Sequence, residues 1–367
     1  MPTHISYGGI ESVGINLWKG LTELGHEVDF VCHGSIVGAY EDYIKFCGTN
    51  VYHIPGKNEN IIATICEFKR IITAKSYDVI HAHMNATSGI YLQIASTYHI
   101  PILVAHSHVS TMAMYTKNIM KALINLYEKN RTNRFSNVKI ACSKKAGDWL
   151  FGTEPYSIVL NAIDNNKFVF SDEIRKAKRE ELQLCENNDV YIHIGGFLAY
   201  KNHRYLLRVF RNIKNMNNNA RLILIGDGPL RKKIEEELRD LGIADSVLML
   251  GERKDVCELL QAADVFLLPS ISEGNPVSLV EAATSGLHCL VSDSVAKDTA
   301  PYFLKGSIEF LSISEENIGE WVKKGLKKYN RIIYCEDNPC KLSALSMAKE
   351  VEKLYLKISK RDIEGKR

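Results

Sequence analysis

The sequence predicts an α/β protein built from two doubly wound, Rossmann-like domains. Three observations carry that prediction. Short apolar runs alternate with helix-period segments along nearly the whole chain, the order expected of βαβ units and parallel sheets. The chain has 367 residues, too many for one ordinary core. At residues 161–171 the texture turns polar (Asn-Ala-Ile-Asp-Asn-Asn-Lys), and a second strand–helix series begins beyond it. The expected domains are therefore 1–165 and 166–340, with a terminal helix and tail over 341–367.

Gly8-Gly9 opens a helix in which Ile10, Val13, Leu17, Leu21 and Leu24 recur at helical spacing, and Gly25 closes it. Only the short, polar run from Met1 to Tyr7 precedes it. The first strand of the N-terminal sheet is thus either abbreviated or outside this sequence. A missing central strand should cost much stability. Strands are expected at 27–32, 51–54, 79–83, 102–106, 139–142 and 157–160. In the second domain they are expected at 190–194, 221–225, 247–250, 265–268 and 287–291. Residues 342–358 read as an amphipathic helix. Two such domains facing one another bring their strand ends to a central cleft, where α/β proteins bind ligands.

Composition excludes several classes. A formal net charge of +3 gives no nucleic-acid footprint. Nine scattered cysteines without a C-x-x-C pair support neither a zinc site nor a disulfide framework. Reduced thiols, no signal peptide and no membrane-spanning run point to a cytoplasmic protein. Lys117, Lys121, Lys129, Arg131, Arg134 and Lys139 surround Met114, Met120, Ile124 and Leu126. That pattern is either a solvated helix face or a basic amphipathic helix on anionic lipid, at the inner face of the cytoplasmic membrane.

Residues 272–286, Ser-Glu-Gly-Asn-Pro-Val-Ser-Leu-Val-Glu-Ala-Ala-Thr-Ser-Gly, hold the most chemistry. They follow an apolar strand. Asn275 is a suitable N-cap, Pro276 a suitable first helical residue, and Gly286 a suitable left-handed end. The free N–H groups of the helix start favour an anion such as phosphate. Glu273 and Glu281 can accept hydrogen bonds from hydroxyls. The alternative is an ordinary βα turn with two solvated acids. Gly195-Gly196 follows another strand, and Lys201 just beyond it suits phosphate. Gly226-Asp-Gly-Pro229 lacks the third glycine of a dinucleotide fingerprint and reads as a turn opening a Pro-started helix. His81, His83, His106 and His108 lie at two strand ends, each pair on one face. No carboxylate or cysteine joins them in a ligand pattern, and no D-x-D triplet occurs, so neither metal nor cofactor is expected.

Gly8-Gly-Ile-Glu11, the strand ending His81-Ala-His83, Ala105-His-Ser-His108, Ala141-Cys-Ser143, Gly226-Asp-Gly-Pro229 and Glu273-x7-Glu281 occur in that order. Together they resemble family 4 glycosyltransferases of the GT-B fold, in the bacterial exopolysaccharide and capsule branch, from Gly8 to about Ile313. The resemblance implies a hexosyl- or N-acetylhexosaminyltransferase that retains anomeric configuration without a metal. Its donor would be a nucleoside diphosphate sugar, UDP-linked, and its acceptor a saccharide or lipid-linked saccharide. It also implies roles. Glu281 would hold the donor ribose, and Glu273 the hydroxyls of the transferred sugar. Backbone amides of Gly274, Asn275, Pro276-Val277 and Ser278 would face sugar and diphosphate. Lys201 would neutralise the leaving diphosphate, and the loop with Arg253 would border the base. Gly8 and Gly9 would approach the donor across the cleft. His106 or His108 would touch the sugar near the reaction centre. Gly196 stands where relatives carry arginine, and Asn275 where an apolar residue is more usual. A second reading is therefore a weak or inactive sugar-nucleotide-binding paralogue that supports a partner enzyme. A third, a nucleotide-sugar epimerase, is opposed by the Glu273–Glu281 pair.

Overall fold

A computed structural model describes residues 5, 8–109, 119–333 and 342–364. In chain order the elements are α1 (Gly9–Glu23), β1 (Phe30–His33), α2 (Glu41–Phe46), β2 (Val51–Ile54), α3 (Lys57–Ala74), β3 (Val79–Ala82), α4 (Gly89–Thr97), β4 (Ile102–Ser107), α5 (Ile119–Phe135), β5 (Val138–Ala141), α6 (Lys144–Phe151) and β6 (Ser157–Ile158). Then come α7 (Asp172–Glu181), β7 (Asp189–Ile194), α8 (His203–Met216), β8 (Ala220–Ile225), α9 (Arg231–Asp240), β9 (Val247–Gly251), α10 (Val256–Ala262), β10 (Val265–Leu268), α11 (Val277–Thr284), β11 (His288–Ser292), β12 (Ile308–Leu311), α12 (Ile318–Gly325) and α13 (Ala344–Glu364). The chain divides into two compact units, residues 1–162 with 344–367, and residues 163–343. The boundary thus falls three residues before the expected one. The terminal helix, set apart in the sequence reading, belongs to the first unit.

In the first unit all strand pairs are parallel, but they form two separate ladders, β1-β2 and β3-β4-β5-β6. No strand precedes α1 among the described residues. Val13, Leu17 and Leu21 bury one face of α1, as their spacing requires. α13 packs against α1 where Gly20 has no side chain. A Cβ there would lie 2.5 Å from the Ala344 carbonyl oxygen and 2.6 Å from the Ala348 Cβ. Every residue of β4 is buried, because helices cover both faces of a parallel sheet.

The second unit holds one six-stranded parallel sheet in the order β12-β11-β10-β7-β8-β9. Its core runs through Leu222, Leu224, Leu267, Leu290 and Trp321. β12 is a strand that sequence reasoning missed. Its apolar run is interrupted by Glu309, which pairs with His288 at 3.0 Å and with Lys324. The sheet order reverses between β10 and β7, and the loops after those two strands flank that switch point.

The basic residues at 117–139 do not form one free face. Lys117 and Met114 lie outside the described residues. Lys129 sits over the Trp149 ring at 4.6 Å, Arg131 donates to Gln93 at 2.6 Å, and Lys139 pairs with Glu154 at 3.5 Å. α5 also exposes apolar side chains, Ile119, Met120, Leu123, Ile124, Leu126 and Tyr127, beside the exposed Lys121 and Arg134. No helix among the described residues is long and apolar enough to cross a membrane.

Candidate active site

The loop after β7 runs Gly195-Gly-Phe-Leu and then makes a short 3₁₀ turn, Ala199–Lys201. Asn202 follows in the left-handed region (φ 57°), which asparagine tolerates, and starts α8. Its side-chain amide donates to the Pro269 carbonyl at 3.2 Å, and the Ile271 amide donates to the Tyr200 carbonyl at 2.7 Å. These two bonds lace the β7 loop to the β10 loop. Between them Lys201 Nζ meets Glu273 Oε1 at 2.5 Å, and Ser270 Oγ donates to the same oxygen at 3.1 Å. Lys201 is 8% exposed. Burial is the largest single influence and pulls its ammonium down, but the Glu273 charge, Tyr200 and the hydrogen bond to Glu273 together outweigh it, and the net shift is upward. The switch point therefore carries a buried, fixed ion pair.

Glycines let the loops approach this closely. Gly226 (φ 129°) has the Gly195 carbonyl oxygen 2.3 Å from where a Cβ would stand, and Gly228 (φ 157°) has that of Phe197 at 2.8 Å. The Gly-Asp-Gly turn is thus a packing device. The helix after it begins at Arg231, not at Pro229. Gly196 differs: its Cβ position meets nothing closer than the Asp227 carbonyl oxygen at 3.5 Å, so a side chain fits there.

α11 starts at Val277 with Pro276 as its extended cap residue (φ −68°, ψ 121°). The helix begins one residue later than expected, because Pro276 keeps an extended ψ. Asn275 is buried just ahead of it, and Gly286 (φ 76°) ends the segment left-handed as predicted. The first amides of α11, Val277 and Ser278, have no intrahelical carbonyl to reach. Glu281 lies one turn in. It is only partly covered, yet desolvation pushes its carboxyl up to about 7.

In the first unit the four histidines form one stacked cluster. His81 Nε2 bonds His106 Nδ1 at 3.1 Å, His83 Nδ1 bonds His108 Nε2 at 2.9 Å, and His81 Nδ1 bonds the Tyr355 hydroxyl at 2.6 Å. Desolvation, helped for three of them by neighbouring imidazoles, holds all four neutral. His81 and His108 fall to about 3, and His83 and His106 lie well below their ordinary value. His106 is fully buried, and His108 is largely buried just past the end of β4. His106 Nε2 and His108 Nδ1 have no hydrogen-bond partner among the described residues. His81, His83 and His106 each place a ring nitrogen within 4.8 Å of the others, the set of donors that could hold a metal ion.

The glycosyltransferase family 4 model matches residues 7–167, and the glycosyl transferases group 1 model matches residues 174–299. The chain is a family 4 glycosyltransferase. EpsF of Bacillus subtilis (strain 168) is 29% identical over 86% of this chain and 83% of its own. The Escherichia coli UDP-Gal:alpha-D-GlcNAc-diphosphoundecaprenol alpha-1,3-galactosyltransferase is 26% identical over 78% and 76%. Among solved structures, Anabaena HepE in complex with UDP and glucose superposes with a TM-score of 0.72 at 18% identity, over 99% of this chain and 98% of HepE. The fold is GT-B, with two Rossmann-like units.

In this glycosyltransferase Lys201, Glu273, Gly274, Asn275, Pro276, Val277, Ser278 and Glu281 come from the two switch-point loops and α11, with Gly196 in the first loop. Arg253 sits apart in a salt-bridge network. Its guanidinium grips Asp255 at 2.6 and 2.7 Å and reaches Glu181 at 3.1 Å, and Lys178 closes the network onto Asp255. Gly8 and Gly9 are exposed at the start of α1, and Gly9 has open space where a Cβ would stand. Sequence reasoning missed Ser270 and Asn202, which hold Glu273 and the loop pair. Only the pairing of β7 with β10 shows that they converge.

Proposed function

We propose that this enzyme moves a sugar from a UDP donor to a saccharide or lipid-linked saccharide acceptor in surface-polysaccharide assembly, retaining configuration and needing no metal. The observation that carries the proposal is the buried Lys201–Glu273 pair at the switch point, beside the start of α11. An anionic diphosphate takes the lysine, the backbone N–H groups of Gly274, Asn275, Val277 and Ser278 leading into α11 add fixed dipoles, and Glu273 turns to the hydroxyls of the sugar. As the diphosphate leaves, the charge it gains meets donors already in place. The acceptor hydroxyl attacks from the same face. The donor follows HepE, solved with UDP-glucose, the acceptor class follows the E. coli relative, and the surface-polysaccharide setting follows the Staphylococcus aureus capsular polysaccharide biosynthesis glycosyltransferase CapH. The test is a panel of UDP-sugars with membrane extract in the presence of a chelator, with the product's anomeric configuration read by NMR. Binding without transfer or hydrolysis would favour the silent paralogue. Loss of activity to the chelator would refute metal independence and point to the histidine trio.

Gly196→Arg is expected to tighten donor binding and raise turnover by about tenfold or more, the worth of a charge-assisted hydrogen bond. Unchanged kinetics would show that this position does not face the diphosphate.

Glu281 gives a pH signature. Its folded pKa of about 7 exceeds the ordinary carboxyl value of 4.5. The folded state therefore keeps a proton that the unfolded chain has released, and this group's contribution to stability worsens as pH rises from 4.5 to 7. Ribose hydroxyls favour the ionised form. UDP-glucose affinity should thus fall about tenfold per pH unit below 7. Calorimetry across pH 5.5–8 checks this, since the diphosphate diester does not titrate there, and Glu281→Gln should flatten the curve.

The cytoplasmic location and peripheral membrane contact belong to the same proposal. We place that contact on the apolar face of α5 rather than on a basic stripe. Liposome flotation should weaken with Leu123→Ser/Ile124→Ser, and no change would exclude α5 as the contact.

A further inference from the structure

The donor chemistry leaves the four-histidine cluster of the first unit without a task. Its rings meet because the backbone places them. His81 on β3 and His83 just past its end are two residues apart, so both project from one face. β4 runs beside β3 in parallel, with Ala82 opposite Ala105, which sets His106 level with His83. The two strand ends are also pinned without the imidazoles. The His108 amide donates to Asn85 Oδ1 at 2.8 Å, and Asn85 itself is left-handed (φ 52°). Ring centroids lie 4.4 Å apart for His81–His83, 5.2 Å for His81–His106 and 5.1 Å for His83–His106.

Hydrogen bonding does not account for this packing. No carboxylate partners any of the four among the described residues, and buried His106 keeps Nε2 without a partner. An unmet buried polar atom is costly. The set fits a borderline divalent ion instead. Imidazole nitrogens bind Zn²⁺ at roughly 2.0–2.1 Å, which puts two ligands of a tetrahedral site about 3.3 Å apart. His81 Nε2 and His106 Nδ1 stand 3.1 Å apart, and His83 completes a trio with ring nitrogens within 4.8 Å of one another. Small ring rotations close the remainder. A second layer of contacts orients the ligands. The Tyr355 hydroxyl, 2.6 Å from His81 Nδ1, takes up that N–H and leaves Nε2 to the ion, and His108 Nε2 meets His83 Nδ1 at 2.9 Å in the same way. Neutral imidazoles are the form a metal binds. Mg²⁺ and Ca²⁺ prefer oxygen ligands, which the trio lacks.

We propose that His81, His83 and His106 hold one Zn²⁺ ion, which clasps β3 to β4 and, through Tyr355, ties α13 to the sheet. The sequence alone argued against a metal because no carboxylate or cysteine joins the pattern. Three imidazoles suffice once strand pairing gathers them. Neutral ligands leave the ion its double charge, so the fourth position takes water or an anion.

The test strips the full chain with a chelator and dialyses it against Zn²⁺ or Co²⁺. One ion per chain should bind, Co²⁺ should show the visible absorption of a tetrahedral nitrogen site, and Zn²⁺ should raise Tm by several degrees. His106→Gln should weaken Zn²⁺ binding by roughly 100-fold or more, and Tyr355→Phe, which removes only the hydroxyl behind His81, by roughly tenfold. His26→Gln, at the exposed His26–Glu352 pair, should leave binding unchanged. Absence of a bound ion at micromolar Zn²⁺, or binding that survives both cluster variants, would overturn the proposal. So would loss of the ion with His26→Gln alone. Metal content and absorption are the readouts. Failure to bind therefore leaves metal-independent transfer standing, whereas activity lost on chelation refutes that reading and leaves this site.

Discussion

Lys201→Ala is expected to lower kcat by about 10²–10³-fold, the loss seen when one preorganised donor to a developing anion is removed. The same substitution leaves the partly buried Glu273 carboxylate without its cation, which costs less than the roughly 3–5 kcal/mol of a fully buried broken pair but still lowers Tm. The two effects are separable. Lys201→Met combined with Glu273→Gln removes both charges, so it should recover most of the lost Tm while turnover stays low. Steady-state kinetics with a UDP-sugar, alongside thermal unfolding of each variant, reads both. If the double variant regained turnover together with stability, the pair would be structural and the assignment of Lys201 to the leaving group would fail.

The second large effect is acid sensitivity of the first unit. His81, His83, His106 and His108 are neutral when folded, with pKa values depressed far below 6.5. In the unfolded chain they titrate near 6.5. As pH falls below that value the unfolded state takes protons first, so stability is fully present above about 6.5 and is lost progressively towards 3. One pH unit below 6.5, each such group costs about 1.4 kcal/mol, and four together on the order of 5 kcal/mol. That approaches the whole stability of an ordinary domain. The first unit should therefore unfold near pH 5–5.5. The second unit, with His193 well below its ordinary value, His203 lowered to about 4 and His288 lowered by burial, has three such groups against four and should outlast it. Hydrogen exchange resolved by peptide distinguishes the units, and His106→Gln should flatten the first unit's slope by about a quarter. A Tm unchanged between pH 7.5 and 5.5 would disprove the neutral cluster.

Most of the fold was legible because strand and helix periodicities are local. Val51–Ile54 and Val265–Leu268 occur where their apolar runs lie, and most other strands shift by a residue or two at one or both ends. β1 begins three residues late because Glu27, Val28 and Asp29 lead into the strand without pairing. β12 escaped notice because an edge strand tolerates a charge. In the site, Lys201, Glu273 and Glu281 were readable from spacing and from the family pattern. Ser270 and Asn202 were not, since nothing in their neighbourhood distinguishes them from ordinary loop residues.

The amino-acid sequence alone determined the class: alternating βα units, two Rossmann-like halves, a glycine-rich loop with a lysine, and two acids around a helix start. These follow from short-range preferences of turns, caps and apolar spacing. Tertiary structure alone decided that Lys201 and Glu273, far apart in the chain, form a buried pair. It also decided that four histidines from two strands share one desolvated cluster and that α13 returns to lie on α1 at Gly20. Each depends on which strands become neighbours, and strand order is set by long-range packing of the whole sheet rather than by any local stretch of residues.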